Sequence, residues 1–129
     1  MTNTRLLARD EIPTELTWDL TLLYPSDDAM RADLDDTLLL ADKLSGFAGQ
    51  LNGAKELLAA LTTHKQIETD LEKEYVYAFL RRDSDTTDAT ANALFGTAAK
   101  AATPIATKEA FLEPDIFATD EGALAGHLK

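Results

Sequence analysis

The sequence predicts an all-α fold: a helical hairpin or bundle of three long helices behind an irregular N-terminal arm. Three observations predict it. Apolar residues recur at steps of three and four over two long stretches. Those stretches start after residues suited to capping and end in glycine or in cations. A third stretch is rich in alanine, whose small side chain lets helices approach closely.

Residues 1–25 form the arm. Ile12-Pro13 disfavours helix before the proline. Trp18, Leu20, Leu22, Leu23 and Tyr24 make an apolar patch without a clean period, and Trp18 is expected to anchor the arm on the helical body. Tyr24-Pro25-Ser26 is punctuation. Ser26 is a good N-cap, with Asp27 and Asp28 in the first turn where the helix dipole favours acids. Met30, Leu34, Leu38, Ala41 and Leu44 form one stripe, and Gly46 closes a helix over about 26–45.

A short connection, Phe47 to Leu51, leads to Asn52 as the expected cap of helix two. Leu57, Leu61, His64, Ile67, Leu71, Tyr75 and Ala78 trace its stripe. Val76, Phe79 and Leu80 widen that stripe near the end. Thr62-Thr63 is a weak point where a kink is expected. Arg81 and Arg82 suit the last turn, since cations favour the negative end of the dipole. Asp83-Ser84 then reads as the turn and Asp85 as the cap of helix three, with solvated Arg and Asp side chains around it. Ala91, Leu94, Phe95, Ala98, Ala102, Ile105 and Phe111-Leu112 mark the apolar side of helix three. Pro104 is expected to kink or break it, and Glu113-Pro114 to end it. Asp120 caps a further predicted helix at 121–128, which has no stop signal before Lys129.

The chain has 129 residues, one ordinary domain's worth. An apolar fraction of 45% separates it from disordered chains. The absence of cysteine excludes a disulfide scaffold, a thiol nucleophile and cysteine-based zinc sites, and it fits a reducing cytoplasm. A formal charge of −11 makes nucleic acid and anionic membranes poor partners. No basic segment followed by an apolar stretch opens the chain, and no apolar run is long enough to span a bilayer.

The search for chemistry returns little. His64 and His127 lie outside any HExxH pattern, and neither shows a carboxylate or second histidine at metal-ligand spacing. His64, on the apolar stripe, reads as a structural histidine. No G-x-S-x-G and no P-loop glycine pattern is present. Asp27-Asp28 and Asp35-Asp36 are sequential neighbours that point to different sides of a helix rather than forming a dyad. No catalytic, cofactor-binding or metal residue is named from this chain.

Four stretches together resemble the N-terminal region of the oligoendopeptidase F family of thimet-like zinc oligopeptidases. In "RDEIPTELTWDLTLLYPSDDAM" the match lies in Arg9, Ile12-Pro13, Trp18-Asp19-Leu20 and Leu23-Tyr24 before a helix start. In "LSGFAGQL" it lies in Leu44, Phe47, Gly49 and Leu51. In "YAFLRRDSDTTD" it lies in Tyr77-Ala78, Asp83, Asp85 and Asp88. The last is "FLEPDI", where the family more often has Glu at the position of Asp115.

The resemblance implies that residues 26–129 are the helical N-terminal lobe of a longer cytoplasmic zinc metalloendopeptidase. Such a lobe would form part of the channel wall that admits short peptides. Zinc and the HExxH machinery would lie in a catalytic lobe of the same polypeptide, and this chain alone would be inactive. Its partners would be that lobe and oligopeptide substrate. With the lobe missing, uncovered apolar surface favours self-association. The alternative is a free-standing helical interaction module.

Overall fold

The computed structural model describes residues 5–119 and 125–126. Its helices are α1 (Asp27–Ser45), α2 (Ala54–Ser84), α3 (Ala89–Glu109) and α4 (Leu112–Ala118). The arm ahead of them holds three short 3-10 turns, Arg9–Glu11, Thr14–Leu16 and Leu20–Leu22. No strand occurs among the described residues.

The three long helices pack on one another as an up-down-up bundle. Cross-helix contacts give the directions. Asp27 of α1 meets Arg81 of α2, and Thr37 meets Glu74, so these two helices are antiparallel. Tyr75 meets Phe95, and His64 meets Glu109, so α2 and α3 are antiparallel as well. The core they enclose includes Met30, Leu44, Ile67, Leu94 and Ile105, all essentially without solvent contact. Ala60, Ala91 and Ala98 are equally buried and let the helices close together.

α1 starts as the sequence dictates: the Ser26 side chain accepts from the Ala29 amide at 3.1 Å. α2 differs at both ends. Gly53, not Asn52, occupies its N-cap, without a side-chain bond. At the other end Asp83 and Ser84 still belong to the helix, and the turn falls at Asp85–Thr87. The cap of α3 is Asp88, whose Oδ1 accepts from the amides of Thr90 at 2.9 Å and Ala91 at 3.2 Å. Asp85 instead makes an Asx-turn, accepting from the Thr87 amide at 3.0 Å and hydroxyl at 2.6 Å. Two aspartates of the same chemistry stand three residues apart, and the one nearer the helix takes the cap.

At three points where the sequence suggests a kink, a break or an end, helix is present. α2 continues through Thr62-Thr63, with the Thr63 hydroxyl donating to the Ala59 carbonyl at 2.8 Å. α3 continues through Pro104, which is exposed, because buried Ala101 and Ile105 hold its flanks to the core. Glu113-Pro114 does not end the helical region but sits in the first turn of α4, where a missing N–H has no helical partner to lose. Asp120 and most of the helix expected at 121–128 lie outside the described residues, and Ala125 and Gly126 are helical.

Trp18 is not the buried anchor expected. It is 74% exposed, and Tyr24 with Leu20 and Leu23 holds the arm to the core instead. The buried stripe of α2 is also rotated from its sequence reading. It runs Leu57, Ala60, Ile67, Glu74 and Ala78, with Tyr77 beside it, while Leu61 and Tyr75 face outward. No helix among the described residues is long and apolar enough to cross a membrane.

Candidate functional site

The stretches that carry the family resemblance meet in space. Asp27, at the start of α1, faces the end of α2. Its Oδ1 accepts from the Tyr77 hydroxyl at 2.7 Å and from Arg81 Nε at 2.9 Å, and its Oδ2 accepts from Arg81 Nη2 at 2.9 Å. The side chains of Asp27 and Arg81 are only 21% and 26% exposed. Asp88 adds a second carboxylate 3.6 Å from Arg81. Tyr24 packs edge-on against Tyr77, with ring centroids 5.3 Å apart.

This corner corrects the expectation of a solvated Arg and Asp cluster. The guanidinium fork matches the carboxylate in plane, which a lysine would not. The bonds from Arg81 hold the Asp27 carboxyl below its usual range, ahead of the opposing effect of burial. Arg81 is shifted upward, chiefly by the same bonds. Burial, then the bond to Asp27, pushes the Tyr77 phenol up to about 12. All three groups are thus locked in their ordinary charge states.

A second pair of resembling stretches touches at the far end of the bundle. The Gly49 amide donates to Asp115 Oδ2 at 2.6 Å. Gly49 has φ of 75°, a left-handed conformation that glycine adopts without steric cost.

His64 lies between two helices, with Nδ1 2.8 Å from Glu109 Oε1 and Nε2 3.3 Å from Glu68 Oε1. Glu68 stands one turn after His64, so the reading that no carboxylate occupies that spacing is corrected. Both ring nitrogens are engaged by carboxylates, and no group of three metal-ligating side chains exists among the described residues. These residues do not fit a zinc site, which needs three or four ligands converging on one point. His127 lies outside the described residues.

Between the arm and the end of α2 lie three open clefts: the largest, about 760 Å³, is lined by residues including Arg9, Ile12, Asp83 and Thr87, and two are smaller. One, about 310 Å³, is lined by residues including Trp18, Tyr24, Tyr77, Arg81 and Asp88. The other, about 350 Å³, is lined by residues including Arg9, Trp18, Phe79 and Asp83. In the 310 Å³ cleft the Thr21 hydroxyl donates to the Asp19 carboxylate, which also accepts from the Thr21 amide at 3.0 Å, an exposed turn contact between near neighbours in sequence. Beside them is an aromatic face. Tyr75 and Phe79 lie 5.5 and 6.4 Å from Phe95, and the Arg82 guanidinium rests 3.9 Å over the Phe95 ring. Tyr75, Val76 and Phe79 are each more than a third exposed.

No protein-family model matches the chain. It is 32% identical over 121 residues to oligopeptidase PepF of Bacillus subtilis, covering 93% of this chain and 18% of that protein. It is 36% identical over 85 residues to the plasmid oligoendopeptidase F of Lactococcus lactis subsp. cremoris, covering 63% of this chain and 14% of that protein. A crystal structure from Chlamydophila abortus, provisionally named a peptidase, superposes with a TM-score of 0.80 at 30% identity. That superposition covers 97% of this chain and 22% of the other. The chain thus spans less than a quarter of the length of each of these proteins. With its motif stretches paired across the bundle, and with the Bacillus subtilis and Chlamydophila abortus similarities covering 93% and 97% of its length, the chain is an oligoendopeptidase F-like helical region.

Proposed function

We propose that this chain is the N-terminal helical lobe of a zinc metalloendopeptidase that hydrolyses oligopeptides, and that it forms part of the substrate-channel wall. One observation carries the reading: similarity to a PepF oligopeptidase along 93% of the chain accounts for only 18% of that relative. The corner of Asp27, Tyr77 and Arg81 supports a scaffolding role, since its polar groups are spent on one another. The aromatic face of Tyr75, Phe79 and Phe95 supports contact with a further body, the catalytic lobe of the same polypeptide. Zinc and the HExxH residues belong, on this reading, to that lobe.

The test is the encoding reading frame. The proposal expects it to continue past Lys129 into an HExxH segment. A frame that stops at Lys129 overturns it and favours a free-standing interaction module.

A further inference from the structure

The apolar stripes of α1 and α2 each carry one polar residue at a buried position, and the two meet. Thr37 is 1% exposed and Glu74 is 0% exposed. Thr37 Oγ1 lies 2.6 Å from Glu74 Oε1 and 3.1 Å from the Asp33 carbonyl oxygen. Glu74 Oε2 is buried with no hydrogen-bond partner among the described residues.

The inventory of protons constrains this arrangement. A threonine hydroxyl has one proton, a backbone carbonyl only accepts, and an ionised carboxylate only accepts. If Glu74 were ionised, the single hydroxyl proton would have to choose between its two acceptors. The carboxylate would then hold a full charge in the core with at most one hydrogen bond. A buried charge that is neither paired nor fully hydrogen-bonded is among the costliest arrangements in a protein interior. If Glu74 is protonated, its O–H donates to Thr37 Oγ1, and the Thr37 hydroxyl donates to the Asp33 carbonyl. Every proton then has an acceptor. The atom left over, Oε2, is a neutral carbonyl oxygen, whose isolation costs far less.

The surroundings point the same way. On α1, Asp33 adds negative charge nearby, and on α2 Asp70 adds more, while Lys73 opposes them. Lys73 is also drawn to the Tyr24 ring, 4.2 Å from its centroid. Tyr24, from the arm, directs its hydroxyl to the Asp33 carboxylate. The buried face of α3, formed by Ala91, Leu94, Ala98, Ala101 and Ile105, has no titratable group.

We infer that Glu74 is held as a neutral carboxylic acid that clamps α2 to α1 through Thr37, so that the packing of these helices is linked to proton binding at this one buried site. Burial first, then the neighbouring aspartates, lifts the Glu74 carboxyl to about 7. The Thr37 contact opposes this only in part. An ordinary glutamate in the unfolded chain titrates near 4.5. The folded state therefore binds the proton more tightly. The contribution is fully present below pH 4.5, declines as pH rises from 4.5 to about 7, and is gone above that.

The test combines two measurements on the whole 129-residue chain. The first follows the side-chain carboxyl carbon of Glu74 by ¹³C NMR against pH, assigned by its loss in Glu74→Gln. A midpoint well above the other glutamates, near 7, is expected. A midpoint in the ordinary glutamate range overturns the inference. The second compares urea unfolding of wild type and Glu74→Gln from pH 4.5 to 8. Relative to Gln, the wild-type folding equilibrium constant should fall by about a hundredfold across that window. Parallel pH profiles overturn the inference. If Glu74→Gln does not fold, the wild-type carboxyl spectrum alone decides, with Thr37→Val supplying the assignment through the shift of its neighbour.

Discussion

Asp27 accepts three hydrogen bonds from two residues fifty and fifty-four positions away, and so joins the start of α1 to the end of α2. Its helix-dipole role was legible in the sequence, because an acid after Ser26 suits a first turn. Its partnership with Arg81 was not, because nothing local says which of Arg81 and Arg82 turns inward. Arg81→Ala should destabilise the fold by roughly 1.5–3 kcal/mol, the range for hydrogen bonds to charged groups. Arg81→Lys should recover only part of that, since the fork is lost; urea midpoints measure both. Because the Asp27 carboxyl sits below its usual range, its contribution is present above that range and lost as pH falls through the lowered value. Arg81→Ala should therefore flatten the acid limb of the stability profile. At the neighbouring turn, Asp88→Ala should cost about 0.5–2 kcal/mol as a lost N-cap. Asp85→Ala should cost less than Asp88→Ala, because its bonds close a turn on the surface.

The elements were far more legible than their facing. α1 and α2 were read nearly to their observed ends, because caps and dipole charges are local signals. The rotation of α2 was misread because Leu61 and Tyr75 are apolar while Ala60 is small and Glu74 is charged. Spacing admits both sets, and only packing against α1 and α3 selects the second. Thr37 and Glu74 were overlooked for the same reason: each looks like a surface residue until its partner helix is in place. A glutamate at the third step after Leu71, between Ile67 and Ala78, was the one available signal. Pro104 is expected to kink or break α3; the helix does not break there, because its neighbours' burial outweighs one missing hydrogen bond. Its side chain is exposed, so Pro104→Ala loses no core contact and regains an N–H. That substitution should stabilise the chain by up to about 3 kcal/mol in chemical unfolding. A destabilising effect would show that the proline ring itself is packed.

At the scale of the molecule, the bundle ties a few polar groups between its helices and leaves an aromatic face partly exposed. That face, of Tyr75, Phe79 and Phe95 under Arg82, was foreseeable from the width of the stripe near the end of α2. If a further lobe covers it, the 129-residue chain should self-associate at high concentration. Phe79→Ser with Phe95→Ser should then shift its sedimentation toward monomer with little loss of helix. The site of chemistry was not legible because, on this account, none lies in these residues. Peptide hydrolysis tests that most directly, with the 129-residue chain and the complete gene product assayed side by side on short peptides, with and without a zinc chelator. Chelator-sensitive hydrolysis by the complete product, and none by the 129-residue chain, is the expected result. Hydrolysis by the 129-residue chain, or a complete product that cleaves no peptide, would contradict it.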